Sequence, residues 1–304
     1  MLKSLTVVIL TCKTSEKILN DCIKSIHPSI NIYIIENSDD VNFKKKLKKK
    51  YPNIKVFLTG SNLGYGGGNN FGLKKVNSKY ALICNPDIIF KKNFFKEINN
   101  YLKNKLDFHL LGISYKRGSK WATSGYLKEF DTYNRKSKNN PLDKSVKLVD
   151  WIIGCSFLIN LNKFKKKKIF DEKFFLYFEE MDLCRRTRLK NGEIYSSSKL
   201  VVKHLGNQSS SQKNPKYKFQ SEILRNWHWM WSTFYYFRKH YGYLHALRKT
   251  HIKFIKFIFR ILFHSIFYDK KKYNIYLYRF LGLLNSMLGR KSWYRNSDFN
   301  ILKY

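Results

Sequence analysis

The sequence predicts an α/β fold, an open, doubly wound and mainly parallel sheet flanked by helices, followed by a basic, aromatic-rich helical extension. Three observations predict it. The first hundred residues alternate short β-branched apolar runs with polar segments of helical spacing. After residue 213 the chain turns into long helical segments rich in aromatics and bases. Finally, 304 residues, 43% of them hydrophobic, suffice for one large core or a core with a smaller satellite, which argues against global disorder.

The runs are "LTVVIL" (5–10), "NIYIIE" (31–36), "IKVFL" (54–58) and "YALIC" (80–84). Strands separated by helices run parallel, because a crossover returns the chain to the same edge. Ligands of such sheets sit at the carboxyl ends of the strands. Those ends carry Thr11 and Cys12, then Glu36, Asn37 and Ser38, then Gly60 to Asn70, then Asn85, Pro86 and Asp87. From 115 to 145 the chain is polar and without sustained period, a surface excursion with a few short strands. "VKLVDWIIGCSFLIN" (146–160) returns to a buried strand pattern interrupted by Gly154. "EEMDLCRRTRLKNG" (179–192) reads as a helix with acids in its first turn, bases later and Gly192 as its stop. "EIYSS" and "KLVVKHLG" read as closing strands, and no internal repeat is present.

In the C-terminal extension Lys249, Lys253, Lys256 and Arg260 recur at spacings of four, three and four, and His264 extends the stripe. The rest of that helix is mainly Ile, Phe and Leu. The pattern fits a helix lying in an anionic membrane interface, and equally an amphipathic helix packed on the domain. No uninterrupted run of about 18 apolar residues occurs, which argues against a span.

A formal charge of +38, from 59 Lys and Arg against 21 Asp and Glu, suggests a polyanion, an anionic membrane or a phosphorylated substrate. Lys, Asn and Ile are abundant throughout, so compositional bias explains part of it. The five cysteines are scattered, odd in number and form no CxxC pair, which fits a reducing, cytoplasmic compartment. The apolar run at the N-terminus is too short for a signal-peptide core and reads as the first strand.

Against this basic background, "FFLYFEEMDLCRR" (174–186) sets Glu179, Glu180 and Asp182 directly after an aromatic run. Three carboxylates in a first turn either favour the helix dipole or do acid–base chemistry. "GSNLGYGGGNNFG" follows a strand and enters a helix, so its amides could approach a phosphate, or it is a flexible turn. It is neither a Walker A loop nor a GxGxxG fingerprint. "NPD" (85–87) ends a buried strand with an acid that either caps the next helix or, with His204 at the end of "KLVVKHL", holds a divalent metal on a diphosphate.

In this order, "TVVILT", "IIENSDD", "NLGYGGGNNFG", "LICNPD", "WIIGCSFLI", "DEKFFLYFEEMDLCRR" and "VVKHLGNQS" closely resemble glycosyltransferase family 2, especially its bacterial rhamnosyltransferase-like branch. The resemblance runs from residue 4 to 240 and includes "YYFRKHYG" (235–242). It implies a GT-A domain over 1–213, with a nucleotide-sugar-binding half at 1–114 and an acceptor-binding half at 115–213, and a helical extension at 214–304. It also implies an inverting, metal-dependent hexosyltransferase that uses Mn or Mg. By resemblance, Thr11, Glu36 and Asn37 lie near the nucleobase and ribose, with Glu36 in place of the more usual Asp. Asn62, Gly64 and Asn69 lie beside the base and diphosphate. Asp87 is the last acid of a metal-binding DxD-type motif in which Asn85 replaces the first carboxylate, and His204 is a metal ligand. With one carboxylate fewer, metal binding is expected to be weak without the sugar nucleotide. Glu180 takes the position of the catalytic base, Glu179 and Asp182 are supporting acids, and Trp151, Gly154 and Asp182 face the acceptor. Phe175 and Tyr177 either stack on sugar faces or pack in a core.

The leading expectation is therefore transfer of a sugar, with rhamnose from dTDP-rhamnose the first candidate. The acceptor expected is a lipid-linked glycan or a cell-surface polysaccharide such as lipopolysaccharide or capsule, reached peripherally at the inner face of a bacterial plasma membrane. Two other classes remain open. An inactive scaffold of the same fold predicts donor binding without turnover. A nucleic-acid-binding protein would explain the charge but leaves "NPD", the acid pair and His204 without purpose, and no helix-turn-helix, zinc finger or RNP motif is present.

Overall fold

The computed structural model describes residues 2–117, 120–122, 124–130, 145–165, 168–206 and 215–295; much of the polar excursion expected at 115–145 lies outside the described residues. The chain forms two compact units, one of Met1–Asp171 with Glu179–Ser211, the other of Glu172–Phe178 with Gln212–Tyr304.

In the first unit the four apolar runs become β1 (Leu5–Thr11), β2 (Asn31–Glu36), β3 (Lys55–Leu58) and β4 (Tyr80–Cys84). They are joined by α1 (Glu16–Lys24), α2 (Val41–Lys50) and α3 (Gly64–Leu73). Ser15 and Asp40 start α1 and α2 by accepting the backbone N–H groups of Ile18 and Phe43. The sequence continues through β5 (Ile88–Phe90), α4 (Phe94–Lys103), β6 (Leu110–Arg117), β7 (Lys120–Ala122), β8 (Val146–Leu148), β9 (Ser156–Asn160), α5 (Glu179–Leu189) and β10 (Ile194–His204). The strands form one sheet in the order β3-β2-β1-β4-β9-β6-β10-β5, with β7 beside β6 and β8 beside β10.

β1, β2, β3 and β4 pair in parallel, whereas β9 runs antiparallel to β4 and β6. The reason is the connection: β1 to β4 are linked through helices, while β9 follows the excursion and returns the other way. The sheet is covered on both faces, and the strand period of two sorts its residues. Val7, Ile9, Leu82, Cys84 and Leu158 meet α1, α2 and α4, while Val8, Ala81, Ile83, Phe157 and Ile159 meet α3 and α5. Strand order reverses between β2-β1 and β1-β4, so the ligand crevice of such sheets falls at their carboxyl ends.

Four expectations change in detail. Residues 146–160 form two strands, β8 and β9, on different partners, with Gly154 in the turn between them. "EIYSS" and "KLVVKHL" are one strand, β10, with a register shift between Ser197 and Val201. Asp87 caps no helix, because β5 follows it and α4 begins only at Phe94. α5 ends through Asn191, whose φ is 57°, and Gly192 is needed instead for close approach, since a Cβ there would lie 2.5 Å from Thr187 Cγ2.

The second unit is built on α6 (Pro215–Tyr241), α7 (Tyr243–Ile266) and α8 (Lys270–Met287). Gly242, at φ 88°, makes the turn between α6 and α7 that a side chain would strain. Trp227, Trp231, Tyr278 and Tyr294 form one core and Met230, Phe234, Ala246, Phe257 and Leu283 another. Phe175 belongs to packing rather than to a sugar face: it is buried 4.6 Å from the His228 ring and under the Arg295 guanidinium. His228 is itself buried; its Nε2–H donates to the Tyr294 carbonyl and its Nδ1 accepts from Ser292, and burial lowers its pKa to about 3. His264 does not extend the exposed basic stripe, because it is buried and stacked on Tyr276 at 5.5 Å. Among the described residues no helix is long and apolar enough to cross a membrane.

α6 and α8 cross closely at Gly282, where an added Cβ would lie 2.2 Å from the Trp227 carbonyl oxygen. Ala would gain about 1 kcal/mol of helix propensity. A backbone clash outweighs that gain, because the helices must separate and unpack the Trp227 core. Gly282→Ala is expected to destabilise this unit by about 2 kcal/mol net. A melting temperature equal to or above the wild type would show that the crossing tolerates a methyl group.

Candidate active site

The crevice is built from the strand ends upward. At the end of β2, Glu36 is buried and both its carboxylate oxygens are engaged. Thr11 donates to Oε2 at 2.7 Å, and Ser38 Oγ–H and the Lys13 amide donate to Oε1 at 2.7 and 3.3 Å. Asn37 clamps the next loop: its Nδ2 donates to Asn62 Oδ1 and the Gly64 carbonyl, both at 3.0 Å, and its Oδ1 accepts from the Leu63 amide at 2.9 Å. Thr11, Glu36, Asn37, Asn62 and Gly64 are thus brought to one wall.

The glycine stretch is not a flexible turn. Gly66, Gly67 and Gly68 are buried inside α3, and a Cβ at Gly68 would lie 2.5 Å from Leu10 Cδ1. Their smallness lets the helix lie on β1 and lets its first turn reach α5. The hypothetical Cβ of Gly66 lies 3.5 Å from Glu179 Cγ, and Asn69 is buried one turn on, its Nδ2 donating to the Tyr65 carbonyl.

The turn before β9 closes the site. Gly154 faces Glu180 so directly that a Cβ would stand 3.1 Å from the carboxyl carbon. The Tyr65 hydroxyl donates to the Gly154 carbonyl, tying α3 to this turn. Burial, followed by the charges of Glu180 and Glu179, raises the Tyr65 pKa well above its usual value, so it stays a donor. Burial also raises the Glu180 pKa above the ordinary carboxylate range. Cys155 reports how close the remaining acid is: burial, then Asp87, then Glu180 push its thiol up to about 12. The Cys155 carbonyl accepts the Asn85 amide at 2.9 Å, joining "NPD" to the same turn.

Asp87 is buried, with Oδ1 3.4 Å from His204 Nε2, and this oxygen accepts no hydrogen bond among the described residues. A carboxylate oxygen and an imidazole nitrogen meeting at one point fit two positions of a divalent cation. Among the described residues no group of three or more such ligands occurs. The donor set therefore fits a cation only where a diphosphate and water complete it.

The Asp182 side chain exposes no surface to an acceptor, and its Oδ2 accepts from Arg186 Nε at 2.7 Å. Trp151 lies half-buried over Gly125. Two sets of residues escaped the sequence reading. Asn70 holds the segment leading toward the acids, its Oδ1 accepting the Ile169 and Phe170 amides and its Nδ2 donating to the Phe170 carbonyl, each at 2.9 Å. Arg185 and Arg188 do more than balance the α5 dipole: they pair with Glu129 and Asp150 and lie over the Phe130 ring, fixing the described end of the excursion. The signal for Asn70 was a second Asn in a glycine-rich helix too apolar to expose one.

Glu180 also predicts a stability effect whose sign follows from its raised pKa. The folded state binds its proton more tightly than the unfolded chain, so the charged form costs stability as pH rises past the unfolded value of about 4.3. Glu180→Gln is expected to raise the melting temperature at neutral pH by a few degrees, with the gain vanishing below pH about 4. A gain that persists at low pH would mean that burial of the charge is not its cause.

The family model for Glycosyl transferase family 2 matches residues 6–184. The low-salt glycan biosynthesis hexosyltransferase Agl10 of Haloferax volcanii is 24% identical over 207 residues, 63% of this chain and 64% of that protein. The rhamnosyltransferase WbbL of Escherichia coli is 26% identical over 175 residues, 51% of this chain and 66% of its own. An N-acetylglucosaminyl-diphospho-decaprenol L-rhamnosyltransferase of Mycobacterium tuberculosis is 20% identical over 185 residues, 52% of this chain and 60% of its own. The match thus spans less than two thirds of the length of each of these relatives. The crystal structure of GalNAc-T7 with UDP, GalNAc and Mn2+ superposes with a TM-score of 0.52 at 11% identity, over 74% of this chain and 50% of that one, which shows the fold alone.

Proposed function

Because the chain belongs to glycosyltransferase family 2, we propose that it is an inverting glycosyltransferase of GT-A fold, moving a hexose from a nucleoside diphosphate to an acceptor hydroxyl. Rhamnose from dTDP-rhamnose is the first candidate donor, since two of the relatives are rhamnosyltransferases. The acceptor is a lipid-linked glycan or a growing cell-surface polysaccharide, met at the cytoplasmic face of a membrane. Residues 1–114 carry the donor and 115–213 the acceptor.

The observation that carries this reading is Glu180, a carboxylate of raised pKa held against Gly154 in the crevice at the strand ends. Thr11, Glu36 and Asn37 line the nucleoside side, and Asn62, Gly64, Asn69 and Asn85 line the diphosphate. Gly154 and Trp151 border the acceptor. Glu180 takes the proton of the acceptor hydroxyl as its oxygen attacks the anomeric carbon. The bond from that carbon to the phosphate oxygen breaks on the opposite face, its electron pair leaves with the nucleoside diphosphate, and the configuration inverts. Asp87 and His204 would hold a divalent ion, Mn or Mg, which when bound supplies positive charge to the leaving diphosphate. Glu179 supports the base from the α3 side, and Asp182 serves as a supporting acid through Arg186 rather than by touching the acceptor.

A thermal-shift panel of UDP, dTDP, GDP and CDP, each with and without Mn²⁺, tests the reading. One nucleotide should raise the melting temperature by on the order of 5 °C at about 100 times its Kd, and only with the metal. No shift with any of them would overturn the donor site.

A further inference from the structure

One face of α7 has a pattern that the transfer site does not use. Ile252, Ile255, Phe259, Leu262 and Ile266 recur at spacings of three, four, three and four, one continuous stripe of the helix. Each is 51–71% exposed. Lys249, Lys253, Lys256 and Arg260 form a second exposed stripe one residue further round. The third face, Ala246, Thr250, Phe257 and His264, is buried. The helix therefore satisfies its own core with one face and leaves two others to solvent, one apolar and one cationic. Its 24 residues include no Asp or Glu.

We propose that this double stripe is a docking surface for an anionic lipid bilayer, in which α7 lies along the interface, its Ile, Leu and Phe side chains among the acyl chains and its bases on the headgroup phosphates. Charge decides among occupants. A second copy of the chain would set the same bases near the same bases, with no carboxylate on the helix to match them. A nucleic acid would leave the aliphatic stripe in water. An anionic bilayer alone offers hydrocarbon beside negative charge with the same spacing. The shallow cleft lined by Ile252, Ile255, Lys256, Phe259 and Arg260 combines both stripes at one place. The proposal deepens the membrane partner of the function proposed above, from which it takes its purpose.

The test is co-sedimentation of the full chain with vesicles of phosphatidylcholine alone and of an equal mixture with phosphatidylglycerol. The chain should partition onto the mixed vesicles and release with salt. Phe259→Ser, Leu262→Ser and Ile266→Ser together should lower partitioning at least about 100-fold, since each removes a buried apolar side chain. Lys249→Gln, Lys253→Gln and Lys256→Gln should lower it about fivefold per charge on the mixed vesicles only. Equal partitioning of the wild type and the Ser variant overturns the proposal, as does equal partitioning onto both vesicles. A lipid-free dimer in sedimentation equilibrium that the Ser variant dissociates also overturns it, assigning the face to a second copy. A cooperative melting transition like that of the wild type, recorded on the same samples, shows that each variant is folded. The nucleotide shift in the same scans separates the two readings, because a wild type that binds vesicles but no nucleotide fails the donor site alone.

Discussion

Glu180→Gln is expected to lower kcat by about 10³-fold while leaving nucleotide binding within a few fold. Gln keeps the shape against Gly154, where even an added Cβ would stand 3.1 Å from the carboxyl carbon, and removes only the capacity to take a proton. The raised pKa adds a second signature. A base that holds its proton above the ordinary carboxylate range makes kcat/KM fall on the acid side before an exposed Glu would, and the variant should lose that limb. Glu179→Gln should be much milder, because Glu179 is directed at Gly66 of α3 rather than at the Gly154 turn. An active Glu180→Gln beside an inactive Asp182→Asn would move the base to Asp182. Its burial and its bond to Arg186 make that outcome the one most damaging to the mechanism.

Much of the fold was legible in the sequence because the first hundred residues are built from regular elements. Four β-branched runs at steady intervals define β1 to β4 to within a residue or two, and strand ends then locate Thr11, Glu36, Asn37 and Asp87 without any knowledge of packing. The later part of the first unit was less legible for a physical reason. β9 runs antiparallel beside β4, and β8 and β9 take different partners although they lie within one apolar stretch, so periodicity alone reads them as a single strand. The glycines misled in another way. A run such as GYGGG is a poor helix former by propensity, yet it is helical here because only a surface without Cβ atoms can lie against Leu10 and admit Glu179. Asn70 and Arg188 act through contacts with residues 100 and 38 positions away, which no local pattern encodes.

Asp87→Ala is expected to weaken metal-dependent nucleotide binding by about 100-fold or more, beyond the 10–100-fold of changes that only reach ligands indirectly. What makes the variant informative is that folding and binding should move in different directions. In the protein alone, Asp87 Oδ1 is buried and accepts no hydrogen bond among the described residues, and its charge helps push the Cys155 thiol up to about 12. A buried carboxylate so placed costs stability rather than adding to it. Its removal should therefore leave the melting temperature of the ligand-free chain unchanged or higher. A purely structural Asp would behave oppositely, with Ala lowering the melting temperature and nucleotide binding falling only as far as the fold is lost. His204→Gln provides the cross-check, because it removes the imidazole 3.4 Å from Asp87 that is proposed as the second ligand but keeps a polar side chain at the end of β10. If both substitutions reduce binding with Mn²⁺ and neither changes binding in chelator, the pair holds the ion. If binding is the same with and without chelator in the wild type, Asp87 serves the diphosphate in some other way and the metal leaves the mechanism.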